Sequence, residues 1–87
     1  MILYNLRKTC DACPAQWEAT NERGEGVYIR YRWDELTVHC PYVENSGWEA
    51  FMKAQILAID GVRGEEYAGT MEEEEMLQLT GYTKGQG

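Results

Sequence analysis

The sequence predicts a small α+β domain: an antiparallel meander sheet of three or four strands, packed by one main helix, with a short C-terminal helix after it. Two patterns carry that prediction. The run Val27-Tyr28-Ile29-Arg30-Tyr31-Arg32-Trp33 is apolar or aromatic at every odd position, and Leu36-Thr37-Val38-His39-Cys40 is apolar at every even one, so each alternates with the period of a half-buried strand. By contrast, Trp48, Phe51, Met52, Ile56 and Ile59 recur at helical spacing behind Ser46 and Glu49, a capping-box pair, and before Asp60-Gly61.

Taken in chain order, Ile2, Tyr4 and Leu6 alternate and supply the fourth strand. Cys13, Ala15, Trp17 and Ala19 mark the next strand, over about 14–20. A polar turn, Asn21 to Gly26, leads into the central strand at 26–33, with facing residues summing to 46. An Asp34-Glu35 turn then pairs Trp33 with Leu36, Tyr31 with Val38 and Ile29 with Cys40, placing all six on one face. Pro41 ends the strand at 36–41 because it has no N–H for the ladder. The main helix is expected over 47–59 with its apolar face on that sheet. A second capping box, Thr70 with Glu73, opens a helix that runs to Leu79 and is stopped by Gly81. The domain spans 1–82, and 83–87 is expected to be a disordered tail.

Composition narrows the class. The 87 residues hold only 15 Ile, Leu, Val and Phe, offset by three Trp, six Tyr and four Met, which bury much area per ordered side chain. That suits one aromatic-rich domain and excludes multi-domain enzymes and coiled coils; no apolar run reaches the ~18 residues of a membrane span. The net charge is −7, of which residues 44–87 carry −6, with nine acidic against three basic side chains. Such a surface repels phosphates and anionic membranes and favours a protein partner with a basic surface. The N-terminal residues lack the pattern of a signal peptide, so a cytoplasmic location with reduced thiols is expected.

The stretch Cys13-Pro14-Ala15-Gln16-Trp17-Glu18, followed by a Gly-containing turn and Val27-Tyr28-Ile29-Arg30-Tyr31-Arg32-Trp33, resembles a group of small uncharacterised proteins encoded by actinobacterial phages. Their pattern reads C-P-x-Q-W-E-G, a turn, then Y-x-R-Y-R-W-G-x-L. Met71-Glu72-Glu73-Glu74-Glu75-Met76 is similar to their C-terminal helix. Ala19 and Asp34 stand where that pattern has Gly. The resemblance covers about half the chain and implies a setting, phage accessory genes acting in the host cytoplasm, rather than a reaction.

Three constellations bear on chemistry. Cys10 and Cys13, with His39 and Cys40, are the residue types of a zinc site. The expected register sets Cys13 on the order of 16 Å from Cys40, and His39 points away from Cys40, so plain thiols are the expectation, with Cys40 in the core. A metal or redox module using Cys10 and Cys13, or a disulfide, is the alternative. The polar sheet face carries Tyr28, Arg30 and Arg32, which could stack bases or grip phosphates; two arginines on a −7 chain make a weak footprint for a nucleic-acid module. The run Glu72, Glu73, Glu74, Glu75 suits a helix N-terminus and could meet a basic partner. No phosphate loop, Ser/His/Asp set or buried carboxylate pair is legible, so a non-enzymatic protein without a cofactor, acting by protein–protein contact and inhibiting a host factor, is the expectation.

Overall fold

The computed structural model describes residues 1–10, 15–62, 64 and 70–85. Eight elements follow in order: β1 (Ile2–Cys10), β2 (Ala15–Thr20), β3 (Gly26–Arg32), β4 (Glu35–His39), α1 (Trp48–Lys53), β5 (Gln55–Asp60), α2 (Glu73–Thr80) and β6 (Thr83–Lys84). They build one six-stranded sheet in the order β5-β4-β3-β2-β1-β6, antiparallel throughout except for β6, which runs parallel to β1. The sheet is mixed and curves into half a barrel. This replaces the expected three- or four-stranded antiparallel meander packed by one main helix.

The central strands behave as their alternation demands. β2 and β3 pair Ala15 with Tyr31, Trp17 with Ile29 and Ala19 with Val27, the register expected from the sequence. These side chains, with Leu36, Val38 and Cys40, are buried on the inner face. β1 is less regular. Asn5 adopts φ 54°, and the register slips between Tyr4 and Arg7. That bulge changes which residues face inward, so Leu3 is buried while Ile2 is exposed. Further along β1, Lys8 reaches across to donate its ammonium to the Met71 carbonyl at 2.9 Å.

The β3–β4 turn differs from expectation by one step. Its two loop residues are Trp33 and Asp34, at φ 56° and 60°, and the ladder pairs Tyr31 with Leu36 and Ile29 with Val38. Two consecutive left-handed residues give a primed turn, whose twist suits the flanking strands better than the other turn types. Asp tolerates that geometry and is held there: Tyr31 donates its hydroxyl to Asp34 Oδ1 at 3.0 Å, and the Gly64 N–H donates to Oδ2 at 2.8 Å. The shift by two in pairing sum leaves every face assignment intact except that of Trp33, which leaves the core and is 59% exposed.

The expected helix over 47–59 is cut in two. α1 ends at Lys53, and Gln55–Asp60 become a strand against β4, with Leu36 opposite Ile59 and Val38 opposite Leu57. The β-branched Ile56 and Ile59 favour a strand, and β4 would otherwise present a bare edge over the core, so tertiary pairing overrides helical spacing. Neither capping box forms: the N-cap positions are Gly47 and Glu72, and no side chain caps either helix. Gly81 does terminate α2, in the left-handed conformation. The element that closes the inner face is α2, whose Met76, with Met71 just before it, is fully buried. The stretch expected as a free tail contributes β6, with Thr83 and Gly85 donating to the carbonyls of Met1 and Leu3.

Candidate interaction surface

α1 packs on the outer, polar face of the sheet, opposite to the face it was expected to cover. Its placement begins at Tyr42, whose N–H donates to the Gly26 carbonyl at 2.8 Å, and at Cys40, whose N–H donates to the Ala54 carbonyl at 2.9 Å. Those bonds drape residues 40–54 over β3 and β4. Aromatic rings fill the space beneath. Tyr42 lies 4.9 Å from Tyr28, and Phe51 stacks on His39 at 3.9 Å with the ring planes 15° apart. Phe51 also meets Tyr28 edge-on at 5.7 Å.

His39 is only 3% exposed, and neither ring nitrogen has a hydrogen-bond partner among the described residues. Burial, then the nearby Arg30 charge, pushes its pKa below the ordinary 6.5, so the imidazole is neutral at pH 7. A depressed folded pKa means that the unfolded chain binds more protons. Stability from this site is therefore complete above about pH 6.5 and is lost as pH falls through the folded value. Thermal melts between pH 7 and pH 5 should show a falling midpoint, and His39→Phe should flatten that slope while keeping a ring against Phe51. An unchanged slope in the variant would assign the loss to other groups. Glu22, held low by the Ile2 N–H, acts only below about 4.5. Glu35, raised first by a hydrogen bond with Asp60, contributes with the opposite sign.

Beside the aromatic stack runs an open groove of about 190 Å³. Arg30, Arg32 and Thr37 lie along it, Trp33 stands at one end and Trp48 and Met52 of α1 at the other. Trp48 is 72% exposed and Met52 45%. The Arg32 guanidinium lies 5.2 Å from the Trp33 ring centroid. Glu35 faces Arg32 in the ladder, yet its carboxyl bonds to Asp60, and neither Arg30 nor Arg32 makes an ion pair among the described residues. Two guanidiniums and two exposed indoles thus share one concave surface.

The structure separates the other expected sites from this one. Tyr28 is half-buried under Tyr42 and Phe51, so of the predicted Tyr28, Arg30 and Arg32 patch only the arginines line the groove. Glu72, Glu73, Glu74 and Glu75 belong to the helix on the inner face; Glu73 accepts from Lys84 at 3.2 Å and Glu75 is half-buried, leaving Glu72 and Glu74 fully presented. Cys40 is a buried core residue that takes a bond from Asn21 Nδ2 at 3.4 Å, and burial raises its thiol pKa. Cys10 ends β1 opposite Gln16, while Cys13 lies outside the described residues. Among the described residues no three His, Cys, Asp or Glu side chains are grouped as a metal site would need. No helix of the described chain is long and apolar enough to cross a membrane.

Trp33, Trp48 and Met52 were missed as surface residues because apolar residues at core-like spacing read as core. The one available signal was Asp34: it accepts φ > 0 readily, and a loop ending on it preserves the same inward faces while releasing Trp33. Compared with known proteins, the chain matches no family model, no curated protein and no solved structure.

Proposed function

We propose that this chain is a non-enzymatic accessory protein that acts by protein–protein contact, using the groove between Trp33 and Trp48 to seize its partner. The observation that carries the reading is the pair of exposed tryptophans bracketing Arg30 and Arg32. Trp and Arg dominate binding hot spots, because rigid indoles bury large area and guanidiniums offer several donors to carbonyls and carboxylates. The acidic remainder of the surface, Glu72 and Glu74 included, steers a partner of net basic charge and speeds its encounter without supplying the contact. The resemblance to phage proteins is the ground for proposing a partner in the host cytoplasm and inhibition of a host factor as the outcome.

Trp33 provides a clean test. A tryptophan at φ 56° carries a backbone cost of about 1–2 kcal/mol that Asn largely avoids, and losing the exposed cation–π contact returns about 0.5–1 kcal/mol. Trp33→Asn should therefore hold or slightly raise the melting midpoint. A protein captured by the wild type, once purified and titrated, should bind Trp33→Asn with Trp48→Ala at least about tenfold more weakly, the scale of losing hot-spot anchors. Added salt should slow its association. Undiminished binding by the double variant would overturn the groove as the contact surface.

A further inference from the structure

We propose that β5 pairs with β5 of a second copy across a two-fold axis, joining two half-barrels through their open edges. β5 is the terminal strand of the sheet, and among the described residues nothing pairs with its outer side. An edge of this kind is normally blunted by lysine, proline or a very short strand. Here the edge is six residues long, Gln55-Ile56-Leu57-Ala58-Ile59-Asp60, with no proline and no lysine. Its one irregularity is a bulge: Val38 pairs with Leu57 and His39 with Gln55, passing over Ile56, which leaves Leu57–Asp60 regular.

Burial along this strand is incomplete in a way a partner strand would complete. Leu57 and Ile59 sit opposite the fully buried Val38 and Leu36, yet both remain partly exposed, and Ile56 is 50% exposed. Residues directly opposite in an antiparallel pair share a face, so a two-fold register sets Ala58 against Ala58 and Leu57 against Ile59 of the other copy. A six-residue strand pair by itself falls short of the ~1,200 Å² of a stable interface; the exposed parts of Ile56, Leu57 and Ile59 on both copies add apolar area to it.

Charge selects a second copy over an unrelated strand. The edge begins just after Lys53 and ends at Asp60, both exposed. Antiparallel self-pairing brings the Asp60 end of each copy towards the Lys53 end of the other, so the symmetry builds opposite charges at both ends of the contact. Although the chain carries −7 overall, the charges flanking the edge itself, Lys53 before it and Asp60 at its end, are opposite, which limits repulsion where the copies meet.

Sedimentation equilibrium over a dilution series tests the pairing. Wild type should run at twice the chain's 10.0 kDa at high concentration and fall towards it on dilution. Ala58→Lys opposes two cations across the axis at an exposed position, and should weaken the dimer at least about tenfold with the melting midpoint of the dilute monomer unchanged. Ala58→Val, a better strand former, should tighten it. Trp33→Asn should leave the mass unchanged, which separates this edge from the groove. A wild type that stays monomeric at every concentration overturns the proposal. So does a dimer that survives Ala58→Lys or dissolves with Trp33→Asn.

Discussion

Replacing Met76 with alanine is expected to cost about 2–5 kcal/mol, the range for a fully buried Met losing its side chain, while Ile56→Ala is expected to cost less than about 1 kcal/mol. The contrast follows from which helix closes the core. Met76 is 0% exposed and belongs to the same buried cluster as Trp17, Ile29 and Tyr31, so shortening it opens a cavity in the core. Ile56, half-exposed on a bulge, leaves no cavity when shortened. Urea unfolding of both variants beside wild type measures the two differences. For a domain of this size the Met76 loss is a large part of the total stability, so the variant should be partly unfolded at 37 °C. Equal losses in the two variants would return the covering role to residues 48–59.

Gly26→Ala is expected to cost about 2–4 kcal/mol and to loosen the outer face as well. A methyl group there would run into the Tyr42 carbonyl oxygen, a backbone atom with no rotamer to escape into. The Gly26 carbonyl accepts the Tyr42 N–H, so relief of the clash breaks a hydrogen bond worth about 1 kcal/mol on top of overpacking strain of about 1–3 kcal/mol. Tyr42 anchors the segment that carries α1, so Trp48 and Phe51 should move with it. The readouts are the midpoint of unfolding and the near-ultraviolet circular dichroism of the aromatic stack. An alanine variant as stable as wild type would mean that residues 40–47 follow another path over β3.

The sheet was legible wherever a strand has one wet face and one dry face. β2 and β3 show that alternation without interruption, and their register follows from it. Reading failed where a local pattern and a tertiary demand disagreed. Trp48 to Ile59 has the spacing of a helix, but the pairing of β4 with Gln55–Asp60 outweighs it. Ile2, Tyr4 and Leu6 alternate, but with the Asn5 bulge between them Leu3, not Ile2 or Tyr4, shares the inner side with Leu6. At the groove, Arg30 and Arg32 were identified from their even positions in β3, since a strand fixes the face of each residue. Trp33 and Trp48 were not, because an exposed indole and a buried one look alike in a sequence until the turn and the helix end are placed.

Lys8, β6 and α2 together have a kinetic consequence. The inner face of the sheet is covered by residues 71–85, which close it from the far end of the order in which the strands are strung: β6 lies against β1, and Lys8 holds the Met71 carbonyl. Contacts of such sequence separation require most of the chain to be arranged before they repay their loop-closure entropy, so folding should be slow for the protein's length. Until residues 71–85 arrive, Trp17, Ile29, Tyr31 and Leu36 form an uncovered apolar concavity between two open strand edges. A chain halted at Thr70 would hold that sticky intermediate indefinitely and should aggregate where the longer chain folds.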